Sequence, residues 1–498
     1  MTSSKPESAD IQGLLWSGYG SLTEACFLLL HVTDAAAARS WLTAAPVTTV
    51  THLQQHISTA MHIALTAAGL RALGVAENVV AGFSAEFVSG MAGEEGRSRR
   101  LGDVGASAPS QWRWGGAREP HVLLMLYAET DLAAWRRQVE ATGLGAGFTV
   151  LDTLQTSDMG GKEPFGFTDG VSQPELDWSG ERQPGTDADL DYGNLLTAGE
   201  FLLGYRNEYG LYTDRPLLDP RLDGAQLLPV AEDDPLRCDL GRNGSYLVFR
   251  ELAQDVRGFW RFIAAQADDG AGRIALAQAM VGRQMSGDAL VPPATHSIRG
   301  VGPDPVDVTR NQFTYDADGD GLRCPFGAHV RRANPRTGDM PGGRQGLIAK
   351  LIRTLGFGHQ DLSEDLIAAS RFHRIMRRGR EFGAVLAPDA AAQPDAADPQ
   401  SGLHFICLNA NIARQFEFIQ NAWVMSAKFD GMSGEADPLL GNRTALPPGQ
   451  ATDGFTLPQP NGVCRRIDGM PNFITVRGGA YFFLPGVRAL RYLASAAH

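Results

Sequence analysis

The sequence predicts an α+β protein made of two tandem sandwich units, each an antiparallel sheet with helices packed on it. Three observations lead there. The chain has 498 residues, 43% hydrophobic and 20% charged, enough for two ordinary domains with real cores. Each half carries compact apolar runs followed by stretches of helical period, with further strand-like runs beyond. Long segments rich in Gly, Pro and Asp separate these elements, the connections that packed layers require.

In the first half, residues 1–10 are polar and are expected to fray. Residues 26–32 read as a buried strand and the Ala-rich stretch 34–44 as a helix. Residues 121–128 read as a second buried strand. A helix over 131–142 follows, with Thr130 or Asp131 as its cap, and then a strand over 147–154. In the second half, 246–252 is strand-like and 255–267 helical. Residues 403–408 form another strand. The helix after it shows Ile412, Phe416, Ile419 and Trp423 on one face. The expected division is an N-terminal unit over 1–225 and a C-terminal unit over 240–498. The loops 90–118, 155–198, 213–235, 292–325 and 385–402 are long enough to be functional or disordered, and 385–402 reads as a mobile insertion.

Composition narrows the function. A net charge of −12 argues against broad contact with nucleic acid or an anionic membrane. No apolar stretch approaches a membrane span, and the run 25–30 is too short for a secretory leader. The cysteines, Cys26, Cys238, Cys324, Cys407 and Cys464, are odd in number and widely spaced. Reduced thiols in a cytoplasm are therefore expected. There is no phosphate-binding P-loop, no G-x-S-x-G elbow and no H-E-x-x-H zinc helix. Asp316, Asp318 and Asp320 before Gly321 imitate a calcium loop. The twelfth position is Gly327, where a bidentate Glu is needed, so this is read as a polar turn.

Three clusters remain. In E-P-F-G-F-T-D-G-V-S-Q-P (163–174), Asp169 is bracketed by glycines. A turn-stabilising Asp is the common explanation of such a pattern. Here Phe165, Phe167 and Val171 would desolvate the carboxyl, and a desolvated carboxyl can exchange protons near neutral pH. In C-P-F-G-A-H-V-R-R-A-N-P-R (324–336), a lone His329 is more often a core or capping residue than a ligand. The three arginines that follow, Arg331, Arg332 and Arg336, need anions in an acidic protein, unless they are solvated surface charges. In R-F-H-R-I-M-R-R-G-R-E-F-G (371–383), followed by G-L-H-F (402–405), one arginine could reach a buried site while others face water.

Together these runs resemble the signatures of the dye-decolorising peroxidases. G-F-T-D-G (166–170) matches their glycine-bracketed Asp, and 324–336 is similar to their proximal histidine segment. R-R-G-x-x-F-G (377–383) resembles their distal arginine segment, and 402–405 their distal pocket wall. Further matches at 10–20, 199–210, 243–252 and 282–287 follow the same order and resemble the longer, unexported bacterial branch. Trp16, Ser17 and Gln284 depart from the pattern away from the site, and His329 and Arg377 lie further apart than in compact members.

The resemblance implies two ferredoxin-like units and haem b bound in the C-terminal one, ligated by His329. His296 and His404 are the next candidates for the ligand. It implies Asp169 as proton-transfer group and Arg377 as charge stabiliser. Arg331 and Arg336 would meet haem propionates, and Phe167, Gly170, Leu403 and Phe405 would line the haem. The acceptor for the second nitrogen of His329 would be Asp437 first or Glu417 second. The implied reaction is reduction of hydrogen peroxide and oxidation of dyes, phenolics or other aromatic reductants through a ferryl intermediate, in a protein that could be a homodimer. The alternative is a non-catalytic haem carrier or iron-handling protein, which would keep His329 and need neither Asp169 nor Arg377.

Overall fold

In the computed structural model, residues 4–184, 192–295, 297–299, 309–339, 369–393, 399–443 and 451–495 are described. The first unit runs β1 (Glu24–Val32), α1 (Ala35–Ala44), β2 (Thr59–Leu65), β3 (Val122–Ala128), α2 (Leu132–Val139) and β4 (Phe148–Gln155). Its strands lie in the order β4-β1-β3-β2, all antiparallel. The second unit opens with β5 (Ser245–Gln254), α3 (Val256–Gln266), α4 (Gly270–Val281) and the short α5 (His329–Ala333). It continues with β6 (Met376–Arg377), β7 (Arg380–Phe382), β8 (Gly402–Asn409) and β9 (Ile474–Leu484), and the helix α6 (Val487–Ser495) follows. Its order is β9-β5-β8-β6, with β7 also on β8. If β6 and β7 are taken as one interrupted strand, this repeats the first unit, so the strand–helix–strand–strand–helix–strand plan is present twice.

The two units do not carry separate sheets, as the sequence suggested. β9 pairs with β2 at Phe483 and Leu65, which joins them into one nine-stranded sheet. Gln12 crosses this seam, its Nε2 donating to the carbonyls of Ile63 (2.8 Å) and Pro485 (2.9 Å). A short ladder of Leu217–Leu218 with Cys238–Asp239 spans the stretch between the two expected units.

Local chemistry sets the element ends. Asp34, Asp131 and Asp255 cap α1, α2 and α3 by accepting from the amides of Ala37, Ala134 and Gly258 at 2.9, 3.0 and 2.7 Å. α2 stops at Val139, short of the expected 142, because a π turn containing Gly143 at φ +94° follows. β1 is apolar from Ala25 to Leu30 because both faces are covered. Cys26, Leu28 and Leu30 meet Trp41 and Leu42 of α1, and Phe27 and Leu29 meet Leu14, Leu15 and Phe201 on the other side. The helix expected after residue 411 is present but wound as π-helix, Ala413–Glu417 and Ile419–Val424. β2 and β9 had no strong sequence signal. β9 contains a bulge and the pair Gly478–Gly479, where a Cβ on Gly478 would lie 2.4 Å from the Trp114 ring. His296 and part of the 385–402 stretch lie outside the described residues.

Candidate active site

A cavity of about 230 Å³ opens in the second unit beside α5, walled by Phe165, Phe167, Leu403, Phe405, Phe416 and Leu439 among others. His329, Asp169 and Arg377 all line it. Each is delivered by a different kind of element.

His329 is the first residue of α5. The turn before it is fixed from below by the polar turn at 316–318. Buried Asp318 accepts from the amides of Arg323 and Cys324, both at 3.0 Å, and from Arg331 Nη1 at 3.1 Å. Arg332 is fully buried and donates to the carbonyls of Gly327, Trp423, Ser426 and Glu435. The imidazole Nδ1 lies 2.8 Å from Asp437 Oδ2, and Asp437 Oδ1 accepts from the amides of Leu439 and Leu440. With Nδ1 engaged, Nε2 is the nitrogen left to bind a metal. Burial favours neutral His329, but the charge and hydrogen bond of Asp437 outweigh it and raise its pKa.

Asp169 sits on the glycine-bracketed loop after β4. Its Oδ1 accepts from Arg377 Nη1 at 2.6 Å and from the amide of Gly170 at 2.6 Å, with Gly170 at φ +76°. No described residue donates to Oδ2, which leaves that oxygen able to take a proton. Burial pushes the carboxyl up, but the Arg377 charge and bond and the Gly170 amide together hold it below the usual carboxylate range. Arg377 lies on β6, its amide donating to Gln173 Oε1 at 2.9 Å and its Nη2 to the Ser172 carbonyl at 3.3 Å. Glu163, on the same wall, anchors the loop by accepting from the amides of Phe165 and Phe167 and from Gln254 Nε2. Burial pushes Glu163 up to about 7.

The charge around the cavity is unbalanced. Arg283 and Arg374 line it and Arg336 lies behind Ser172. Among the described residues none of the three has a carboxylate partner. They donate instead to neutral oxygens: Gly287, Arg310 and Asn311 for Arg283, Tyr192 and Asn194 for Arg374, and Asn311 and Phe313 for Arg336. Arg336 Nε is buried without a partner. Burial and the neighbouring Arg336 lower the Arg283 pKa to about 10. An apolar slot, a histidine backed by a carboxylate and three cations lacking anions fit a flat macrocycle with carboxylate arms and a central metal.

The other sequence candidates distribute unevenly. Phe167, Leu403 and Phe405 line the cavity, and Gly170 acts through Asp169. Arg331 points away from it, into Asp318 and the Cys324 carbonyl. Arg336 is fully buried over the Phe313 ring at 3.7 Å. Glu417 bonds Tyr481 and Arg97 and is not on the wall. His404 Nε2 bonds the Gln155 carbonyl, outside the cavity. Sequence reasoning did not single out Arg283, Arg374, Glu163 or His373, although each lay in a quoted motif. His373 stacks on Phe418 at 3.6 Å, and burial lowers its pKa to about 4.

No family model matches the chain. Curated relatives match over nearly its whole length. Dye-decolorizing peroxidase msp1 of Mycetinis scorodonius is 28% identical, covering 98% of this chain and 87% of the relative. Multifunctional dye peroxidase DyP2 of Amycolatopsis sp. is 29% identical, covering 94% and 91%. The fold is that of the crystal structure of a fungal DyP-type peroxidase from Auricularia auricula-judae, at 24% identity, 99% and 100% coverage and TM-score 0.71. An ancestral D-type dye decolorizing peroxidase gives TM-score 0.72 at 23% identity. The fold is thus like that of these peroxidases, and its cavity carries one histidine backed by a carboxylate. In sequence the chain is similar to dye-decolorising peroxidases over nearly its whole length.

Proposed function

We propose that the protein is a haem b peroxidase that reduces hydrogen peroxide and oxidises dyes, phenolics or similar aromatic donors. The observation that carries this reading is the Asp169–Arg377 pair in the same cavity as the Asp437-backed His329. A haem carrier would need neither member of that pair, and the relatives, all named as peroxidases, give that alternative no support. One of the similar structures is described by the heme pocket of a dye-decolorizing peroxidase.

His329 Nε2 would hold the haem iron, Arg374 and Arg283 would meet the propionates at the cavity wall, and Arg336 would support them from behind. The haem would supply the electrons for splitting the O–O bond. Asp169 Oδ2 takes the proton from one peroxide oxygen and returns it to the other. The Arg377 guanidinium stabilises negative charge on the departing oxygen. Phe167, Leu403 and Phe405 keep water out, which strengthens both effects.

The same reading divides the chain at 225–240 and places it in the cytoplasm, in keeping with five free thiols. Among the described residues no helix is long and apolar enough to cross a membrane. A homodimer could use the half-exposed edge strand β4. Reconstitution with haem tests the core of the proposal. A Soret band that changes on peroxide addition, with dye oxidation following, is expected. A band that peroxide leaves unchanged would reject the enzyme, and no band would reject the haem.

A further inference from the structure

We propose that the N-terminal segment 13–22 is a strap that positions Arg377, acting through Arg378 and Arg380 as positioning residues; this rests on the peroxidase reading above. Arg377 occupies a two-residue strand at the border of the sheet, an element with few ladder bonds of its own. Gly379, in the break between the two short strands, has no room for a side chain, since a Cβ there would lie 2.7 Å from the His404 carbonyl oxygen. Rigidity has to come from elsewhere.

Arg378 and Arg380 turn to the N-terminal segment. Arg378 Nε donates to the Leu14 carbonyl at 2.7 Å and Nη2 to the Leu15 carbonyl at 3.2 Å. Its Nη1 returns to the carbonyl of Arg377 itself at 3.0 Å. Arg380 Nη2 donates to the carbonyls of Gly18, Tyr19 and Leu22 at 2.9, 2.5 and 3.2 Å. Every acceptor is backbone, so the contacts follow the path of the segment and not its side chains. That path is itself fixed. Gln12 is bonded across the seam, and His62 Nε2 lies 2.8 Å from Tyr19 Oη. Gly13 leaves no room for a side chain, since a Cβ would lie 2.4 Å from Tyr19 Oη. One guanidinium therefore joins a rigid part of the first unit to the peptide that carries the distal arginine. Displacement of a catalytic group by about 1 Å costs up to about a hundredfold in rate.

The test compares haem-loaded full-length protein with Arg378→Ala, Arg378→Lys and Arg380→Ala. Cyanide is the probe, because binding of HCN as its anion needs a proton acceptor and a cation at the Asp169–Arg377 pair. Arg378→Ala is expected to keep normal haem content and resting spectrum. Its cyanide Kd should rise about 10- to 100-fold, kcat/KM for peroxide should fall by a similar factor, and the reductant KM should not move. Arg378→Lys should restore part of the loss. An unchanged cyanide Kd in folded, haem-loaded Arg378→Ala overturns the proposal, as does a loss explained entirely by haem content. If Arg378→Ala does not fold, Arg378→Lys decides: a Kd at least about threefold above wild type supports the strap, and an unchanged one sinks it. Failure of the wild-type protein to load haem or respond to peroxide would reject the peroxidase reading instead.

Discussion

Asp169 takes both its hydrogen bonds on one oxygen, and the chemistry expected of it depends on the other. Asp169→Asn removes the proton acceptor while keeping the shape. Peroxide consumption should fall by about two to four orders of magnitude at unchanged haem content. Arg377→Ala should cost about two to three orders. Stopped-flow measurement at matched haem occupancy gives both. The pH dependence follows from the direction of the Asp169 shift. Its carboxyl is held below the usual range, so the ionised base persists as pH falls and is lost only on passing that lowered pKa. Activity should therefore extend well into acid. In Arg377→Ala the opposing burial prevails, and the acid limb of kcat/KM should move to higher pH. An acid limb that stays in place would show that another group titrates. Asp437→Asn should weaken haem affinity by about 10- to 100-fold and raise the haem potential, as read by haem titration and spectroelectrochemistry. His329, Asp169 and Arg377, which line one cavity, could be named from the sequence because motif and chemistry coincide there, whereas Asp437 lies in no motif and is only the first of two candidate carboxylates. Arg374 and Arg283 could not be named, because a run of arginines does not show which one turns inward.

Short elements carry the site, and each is held by something other than its own backbone ladder. α5 has five residues and could not persist alone. It is fixed by Arg331 on Asp318 and by Arg332 among four carbonyls. Arg332→Met leaves those buried carbonyls without donors, which costs about 1–3 kcal/mol for each left unsatisfied. A lower melting temperature and loss of haem are expected together, measured by thermal unfolding and haem content. Arg374→Ala should release haem more readily than Arg331→Ala, because only Arg374 reaches the wall. Gel filtration at high salt compares them, and equal retention would put the propionates elsewhere. At this scale the sequence showed one cap, Asp131 as one of two candidates, and most long strands, since an unbroken apolar run has direct physical meaning. Asp34 and Asp255 read as helical in the sequence and prove to be caps. It did not show the π winding at 413–424. An apolar face spaced for an α-helix also fits a wider helix when the cavity wall decides the winding.

On the scale of the whole molecule, the two units share one sheet through β9 and β2, with Gln12 bonded across the join. Apoprotein should therefore unfold in one transition, and hydrogen exchange should protect β2 and β9 alike. Two separated transitions would show that the seam is not cooperative. Sequence patterning revealed the repeat but not the union, because edge pairing between units leaves no trace in either unit's periodicity. The position of β9 also sets an order of events during synthesis. It lies between β5 and β2 in space, yet it follows every other strand of the sheet along the chain. A growing polypeptide thus makes His329 and Arg377 before the strand that joins its two units, and both units wait with an open edge. On the peroxidase reading, haem capture is then expected only after translation has passed residue 484, because Ile474 of that strand lines the cavity, and a nascent chain stalled before it would offer two unpaired edges to chaperones or to aggregation.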